Sequence, residues 1–535
     1  MTALPARVNE VGPGAAKSAT VIEPPRAQPL RRHARKVKPQ FAGDPNSPAA
    51  EAASPKRLGI LLLVGLMSLV LFAAAAARHY LFRSGAMDLA FFDQLVWLIS
   101  RGKPPVSSIN GLHLLGDHAA WILYAVAPLY WIFANPYSLL ALQALALAGA
   151  AYPLWRIALL SECSPGQALA LALAYLLYPI VLATDVFDFH PETLAVPALM
   201  CAALCAKRGQ MATFVLSLIV ALGTKEIVGL TVIAMGVWLL IDQRDRPAFG
   251  ILAIMLGVAS FLFATRWIIP HFGAGKEASG VRLFTYLGPS VSKIVVALFT
   301  QPGRWVPQVL RPEVLIYLGV IFVPVCWGLS FRGLLPLLVA VPTMVLNMLA
   351  DTSTGEDLLA PLGHYSLLAV PFIALALVEG VSSGGCLIKR PRYIAAWSVV
   401  LLVLGAAARL MMVKPEQLRD GVPTDHNANR VAMLRAIDRL PRDAAVLTTF
   451  EIAPHVSERP FVQFLGRMYP NAPVDHFDAV LLNESHDSVR NEPARMEQLR
   501  TAMKSGRFGT FQTVSRDNGV VLYRRVHEPT SARAE

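Results

Sequence analysis

Leu58 to Ala77 is a run of 20 residues without a single charge, and it constrains this chain more than any other feature. A helix of about 20 apolar residues is what crosses the hydrocarbon core of a bilayer. Similar runs recur along the sequence, and composition agrees with them. The 535 residues are 55% hydrophobic and 16% charged, against about 25% charged in a soluble domain. The chain therefore reads as an all-α polytopic membrane protein, and its length counts helices rather than soluble domains.

Residues 1–55 are rich in Pro, Ala and basic side chains without hydrophobic periodicity, and are expected to form a disordered cytoplasmic tail. The first apolar run begins too late and is too long for a secretory signal, so it reads as an uncleaved first span. The net charge of +12 is concentrated in that tail and at helix ends, with ten Lys or Arg in the first 57 residues. This is a positive-inside pattern rather than a nucleic-acid surface. The five cysteines, Cys163, Cys201, Cys205, Cys326 and Cys386, lie in or beside apolar segments and form no metal or disulfide spacing.

Each span reverses the side of the membrane, so loop charges test the span list. If 119–134 crossed, Lys207-Arg208 and Arg244/Arg246 would fall outside. That segment is short, broken by Pro128 and rich in Trp and Tyr, which suits a helix lying at the interface. With it removed, spans are expected near 58–77, 137–157, 166–183, 193–206, 211–224, 227–241, 248–267, 313–330, 333–350, 365–383 and 393–412. These about 11 helices form a transmembrane domain over 56–413 and place the basic loops inside. The chain is expected in the inner (plasma) membrane, its N-terminus cytoplasmic and its C-terminus outside. Residues 414–535 then form a small extracytoplasmic α/β domain. Its helices are expected at 424–440 and 490–504 and its strands at 445–450 and 477–483. Runs at 508–514 and 519–525 flank Asp517-Asn518-Gly519 as a hairpin.

Four polar constellations share the outer side in this topology. The first outer loop carries Asp88 and Asp93, about 140° apart if helical, with His113, Asp117 and His118. T-D-V-F-D-F-H-P-E supplies Asp185, Asp188, His190 and Glu192. Lys225-Glu226 occupies a tight turn, and Arg266 with His271 ends the seventh span. Each has a structural role open to it: Asp185 or Asp188 as a cap, Glu192 in a first turn, Lys225 and Glu226 as mutual neutralisers, Arg266 as a snorkelling side chain. Ionisable groups at membrane depth are costly and usually functional, however. No Walker motif or glycine-rich turn after a strand is present. Chemistry on this side needs a substrate already activated, for which a polyprenyl-phosphate-linked sugar is the candidate donor. Asp88 is the candidate base, with Lys225, Arg266 or His190 near the phosphate. Carboxylates at Asp88, Asp93 and Asp188 are candidate oxygen ligands for a divalent cation; no nucleotide or redox cofactor is expected.

The stretches D-L-A-F-F-D-Q-L-V-W (88–97), D-F-H-P-E-T-L-A-V-P (188–197) and T-K-E-I-V-G-L-T (224–231) resemble a bacterial and archaeal family of predicted polytopic membrane proteins of unknown function. L-G-H-Y-S-L-L-A-V-P-F (362–372) and A-P-H-V-S-E-R (453–459) fit the same family, which adds His364 and Tyr365 to the candidate substrate-binding set. Met87 stands where a Phe is expected, and Phe450-Glu451 where a Gln-Asp pair is, which argues against a catalytic role for the outer domain. The family in turn resembles the GT-C class of membrane glycosyltransferases. That resemblance implies an acidic residue in the first outer loop (Asp88), interfacial helices after it (119–134), and an acidic segment in the next outer loop (Asp188 to Glu192). It implies a glycosyltransferase acting on a cell-envelope acceptor. A lipid or solute transporter, or a non-catalytic envelope assembly protein, are the alternatives.

Overall fold

The computed structural model describes residues 54–275, 277–354, 359, 363–412, 424–465, 477–490, 493–504 and 510–526. The expected N-terminal tail up to residue 53 and the junction at 413–423 lie outside these residues.

The first apolar run forms the helix Ser54–Tyr80. Its Leu58, Leu61, Leu62, Leu66 and Leu69 are exposed, as a lipid-facing stripe requires. Four helices are long and apolar enough to span a membrane: Arg57–Tyr80, Pro136–Leu160, Pro247–Phe272 and His364–Ser382. Two bent pairs raise this to six among the described residues. Pro165–Leu176 meets Pro179–Asp185 at 47°, and Pro302–Val309 meets Pro312–Val325 at 55°. Each second half opens on a proline, which lacks the donor to continue the preceding turn. The expected eleven spans are not all reproduced as single helices. Ala195–Arg208, Met211–Leu222 and Val228–Asp242 are short, and the 333–350 region is divided into the tight turn Leu335–Val339 and the helix Val341–Leu349.

Close packing relies on small residues. An added Cβ at Gly236 would lie 2.6 Å from the Gly250 carbonyl oxygen, and one at Gly229 2.9 Å from that of Gly257. These glycines let Val228–Asp242 and Pro247–Phe263 approach backbone to backbone, as membrane helices do where no water-driven force holds them. His364–Ser382 is the most enclosed span, with 83% of its central window buried against 28% for the first.

Contacts between loops gather several basic residues at one end of the bundle. At one end Lys207 pairs with Glu379 at 3.1 Å, Gln167 donates to the Lys389 carbonyl at 2.9 Å, and Arg246 covers Gly209. Ser330 meets Ser383 there too, so Arg332 joins the same basic end. The other end holds Arg78, Asp88, Asp188, Lys225 and His364. Residues 121–132 stay at that second end. Ile122 N–H donates to the Gly223 carbonyl at 2.9 Å and Trp131 Nε1 to the Ser100 carbonyl at 2.9 Å. Trp131, Ile132 and Phe133 are exposed, and Ile122–Ile132 is one of the shorter apolar helices.

The C-terminal domain carries β1 (Val446–Thr448), β2 (Val462–Phe464), β3 (Ala479–Asn483), β4 (Thr510–Asp517) and β5 (Val520–Val526) in the order β2-β1-β3-β5-β4. β2, β1 and β3 run parallel, with Val446 beside Val462 and Ala479; β5 is antiparallel to β3 and β4. The expected hairpin forms. Asn518 and Gly519 have φ of 45° and 79°, the paired left-handed residues of a type I′ turn. Helices Thr424–Asp438 and Pro493–Lys504 also fall where expected. β2 was not legible, being three residues long. Its edge is covered by Ser108, whose hydroxyl donates to the Val462 carbonyl at 2.7 Å and accepts from Val462 N–H at 2.9 Å. The core of this domain is continuous with the first outer segment: Ala432, Val446 and Leu481 share one cluster with Phe82, Leu89 and Leu95.

Candidate functional site

Asp88 sits on a π-type turn, Ala86–Ala90, that opens the helix Phe91–Ser100. Such turns recur at functional sites because they re-aim one side chain. Asp88 Oδ1 lies 3.3 Å from His190 Nε2, with Asp88 28% exposed and His190 6%. His190 Nδ1 is 3.1 Å from the Asp188 carbonyl oxygen, which only accepts. If Nδ1 carries a proton for that carbonyl, Nε2 must carry another to bond an ionised Asp88. The pair is then imidazolium and carboxylate. The titration of His190 agrees: burial pushes it down, but the Asp88 carboxylate outweighs burial and raises it. His364 stacks on His190 at 3.8 Å, and Tyr365 follows it at 4.0 Å.

A cavity of about 570 Å³ joins these residues to two further pairs. Lys225 Nζ lies 3.0 Å from Glu192 Oε1, both well enclosed. Burial works against both charges, yet their attraction prevails: Glu192 is held below the usual carboxylate range and Lys225 above the usual amine range. His118 Nδ1 is 3.3 Å from Glu226 Oε2, and its Nε2 is 3.8 Å from Asp117 Oδ1. Burial pushes His118 down, but Asp117 and Glu226 raise it overall. For Asp117, burial pushes up while His118 and a hydrogen bond from Ser279 bring it below its ordinary value.

Asp88, Asp117, His118, His190, Glu192, Lys225, Glu226, His364 and Tyr365 thus line one cavity. Four other candidates do not. Asp93 turns into the junction with the outer domain, where it is fully buried and accepts from Tyr130 at 2.5 Å and Ser457 at 2.7 Å. Burial pushes its carboxyl up, against those two bonds. Asp188 is committed to Arg78 at 2.6 Å and Gly85 N–H at 2.9 Å. Among the described residues no group of three His, Cys, Asp or Glu is arranged to hold a metal. His113 stacks on Phe272 at 4.4 Å and accepts from Leu115 N–H, serving as a cap. Arg266 is exposed on the last turns of its span rather than in the cavity. Its outward position follows from the π-type turn Ala264–Ile268.

Sequence reasoning missed Arg78, which holds the Asp188 loop to the first span; its only signal was a basic residue in a last helical turn. It also missed Glu277 to Phe284, which covers the cavity and brings in Arg282. That stretch has no periodicity to mark it. Asn347, on the opposite wall, donates to Tyr317 Oη at 2.9 Å and Ser366 at 3.2 Å.

Residues 78–522 match the family described as "Predicted membrane protein (DUF2079)". The chain belongs to this family. The match runs from the end of the first span into the C-terminal domain, and includes every residue named above as lining the cavity. No curated protein matches the chain. Two solved structures of ArnT from Cupriavidus metallidurans are similar to this DUF2079 member. One, bound to undecaprenyl phosphate, is 14% identical with a TM-score of 0.49, covering 88% of this chain and 98% of that one. The other, in the apo state, is 13% identical with a TM-score of 0.46, covering 86% and 98%.

Proposed function

We propose that this protein is a membrane glycosyltransferase that moves a sugar from a polyprenyl-phosphate-linked donor to a cell-envelope acceptor on the extracytoplasmic face of the inner membrane. The observation that carries this reading is the cavity, which gathers Asp88–His190, Glu192–Lys225 and Asp117–His118–Glu226 from separate outer loops. Eleven crossings, with the basic loops inside and residues 414–535 outside, are the topology that goes with it.

In the proposed reaction the acceptor hydroxyl oxygen forms a bond to the anomeric carbon as the bond from that carbon to the phosphate oxygen breaks. The hydroxyl proton passes to the Asp88 carboxylate, which His190 orients. The electron pair of the broken bond leaves on the phosphate, near Lys225, Arg282 and the imidazolium of His118. These charges are fixed by their partners before substrate arrives, so little reorganisation is needed at the moment of transfer. The donor brings its own activation, which suits a site with no nucleotide supply.

The test compares lipid-linked sugars and surface glycans in a deletion strain complemented with wild-type or Asp88→Asn protein. Donor accumulation and loss of one glycan, restored by wild type and not by the variant, are expected. An unchanged glycan profile in the deletion strain overturns the reading.

A further inference from the structure

Asp185 belongs to the T-D-V-F-D-F-H-P-E segment but takes no part in the cavity. It is the last residue of Pro179–Asp185, the second half of a span bent by 47°. Its side chain is fully buried, and neither carboxyl oxygen has a hydrogen-bond partner among the described residues. The neighbouring Thr184 hydroxyl is likewise fully buried and unpartnered. The helix packs against Pro136–Gly149, His364–Ala369, Pro165–Leu176 and the first span, elements that carry Gln143, His364, His79 and Arg78. Arg78, at the end of the first span, is bound to Asp188.

A buried carboxylate needs a cation, a set of donors, or a proton. Among the described residues no side chain supplies either of the first two. A bound metal ion would require further oxygens, and half-helix carbonyls commonly provide them in broken membrane helices. Here those carbonyls are occupied: Gln143 Nε2 lies 3.4, 3.1 and 3.1 Å from the carbonyl oxygens of Thr184, Asp185 and Asp188. We infer that Asp185 is a proton-binding site of the membrane domain, a neutral carboxylic acid in the resting protein. The inference does not depend on the transfer reaction proposed for the cavity.

The proton has a structural consequence. The next five residues carry Asp188 to Arg78 and His190 to Asp88. Ionisation of Asp185 opens the last helical turn toward the outer aqueous side and displaces Val186–His190 with it. Proton occupancy at Asp185 therefore holds the Asp88–His190 pair in place.

Infrared difference spectra of the full chain in lipid, wild type against Asp185→Asn, test this at neutral pH. Expected is a protonated-carboxyl C=O band, shifted by deuterium exchange and absent from the variant, with an unchanged melting temperature because Asn copies the shape of the neutral acid. A carboxylate band pair in its place overturns the proposal. So does a variant that fails to insert, since a neutral isostere should be accepted. A spectrum that changes when choline replaces sodium assigns the site to a metal cation instead. Raising the pH until the band disappears should increase hydrogen exchange at 186–190 in wild type only; unchanged exchange removes the link to the cavity.

Discussion

Asp88 and Asp93 leave one short helical segment in different directions, and the two regions they enter have little in common. The cavity side is open and rich in charge, and Asp88 keeps partial exposure there beside His190. On the junction side, Asp93 is sealed between Tyr130 and Ser457, within a core shared by the first outer loop and the outer domain. One helix thus links a reactive surface to a dry structural contact. Among the described residues the C-terminal domain contributes none to the cavity lining; it holds the segment that carries Asp88. Gln94 reinforces this, donating to Ser108 at 2.7 Å and lying 3.3 Å from the Arg459 carbonyl.

If that division is right, losses on the two sides differ in kind. Asp88→Asn should lower transfer in cells by roughly 100- to 10,000-fold, the range for removal of a general base, while the yield of folded protein stays near wild type. A folding defect in place of an activity defect would merge the two regions. Lys225→Met leaves Glu192 buried without its cation and should cost about 3–5 kcal/mol of stability, read as a drop in thermal unfolding temperature. The double variant Lys225→Met/Glu192→Gln should recover most of that stability and none of the activity. Recovery of activity would show that the pair is only structural. On the junction side, Asp93→Ala leaves the Tyr130 hydroxyl without an acceptor and Ser457 with only the Pro454 carbonyl at 3.2 Å. It should cost about 2–3 kcal/mol and increase protease sensitivity of residues 424–526. Asp93→Asn, which keeps one acceptor oxygen, should cost less. A stable but inactive Asp93→Ala protein would move Asp93 into the chemistry.

The 140° between Asp88 and Asp93 was legible in the sequence as a reason that they need not share a face, but which of the two met the cavity was not. That depends on Ser457, more than 360 residues away, and no local pattern encodes such a contact. The segment 119–134 was set apart in the sequence by Pro128, its Trp and Tyr content and the loop charges after it, and the structure breaks it into the short helices Ile122–Val126 and Leu129–Ile132. The count of long helices was less legible. Hydropathy sees apolar composition but not the breaks at Pro179 and Pro312 or the tight turns of Leu335–Val339. The hairpin at Asp517-Asn518-Gly519 was readable residue by residue because its turn chemistry is local. Arg78 and the Glu277–Phe284 cover carry no periodic or motif signal, and only the folded chain brings them to the site.

The junction also differs from the cavity in how it should respond to acid. His455 of the outer domain stacks on His79 at 4.0 Å and on Phe82 at 3.9 Å, within the seam that joins the domain to the first span. Burial, assisted by His79, holds His455 well below its ordinary value, so it is neutral when docked. The undocked chain takes up a proton near pH 6.5, and the docked chain does not. The open form therefore binds more protons, and docking weakens as pH falls below that point, by at most about 1.4 kcal/mol per pH unit. In the cavity the raised titration of His118 and His190 has the opposite sign: their paired forms are already protonated and lose stabilisation as pH rises. Hydrogen exchange across 424–526 should therefore increase between pH 7 and pH 5, and His455→Phe, which keeps the stack and removes the proton site, should flatten that dependence. If His455→Phe responds to acid as wild type does, the sensitivity lies elsewhere, with His79, its partner in the stack, the next group to vary.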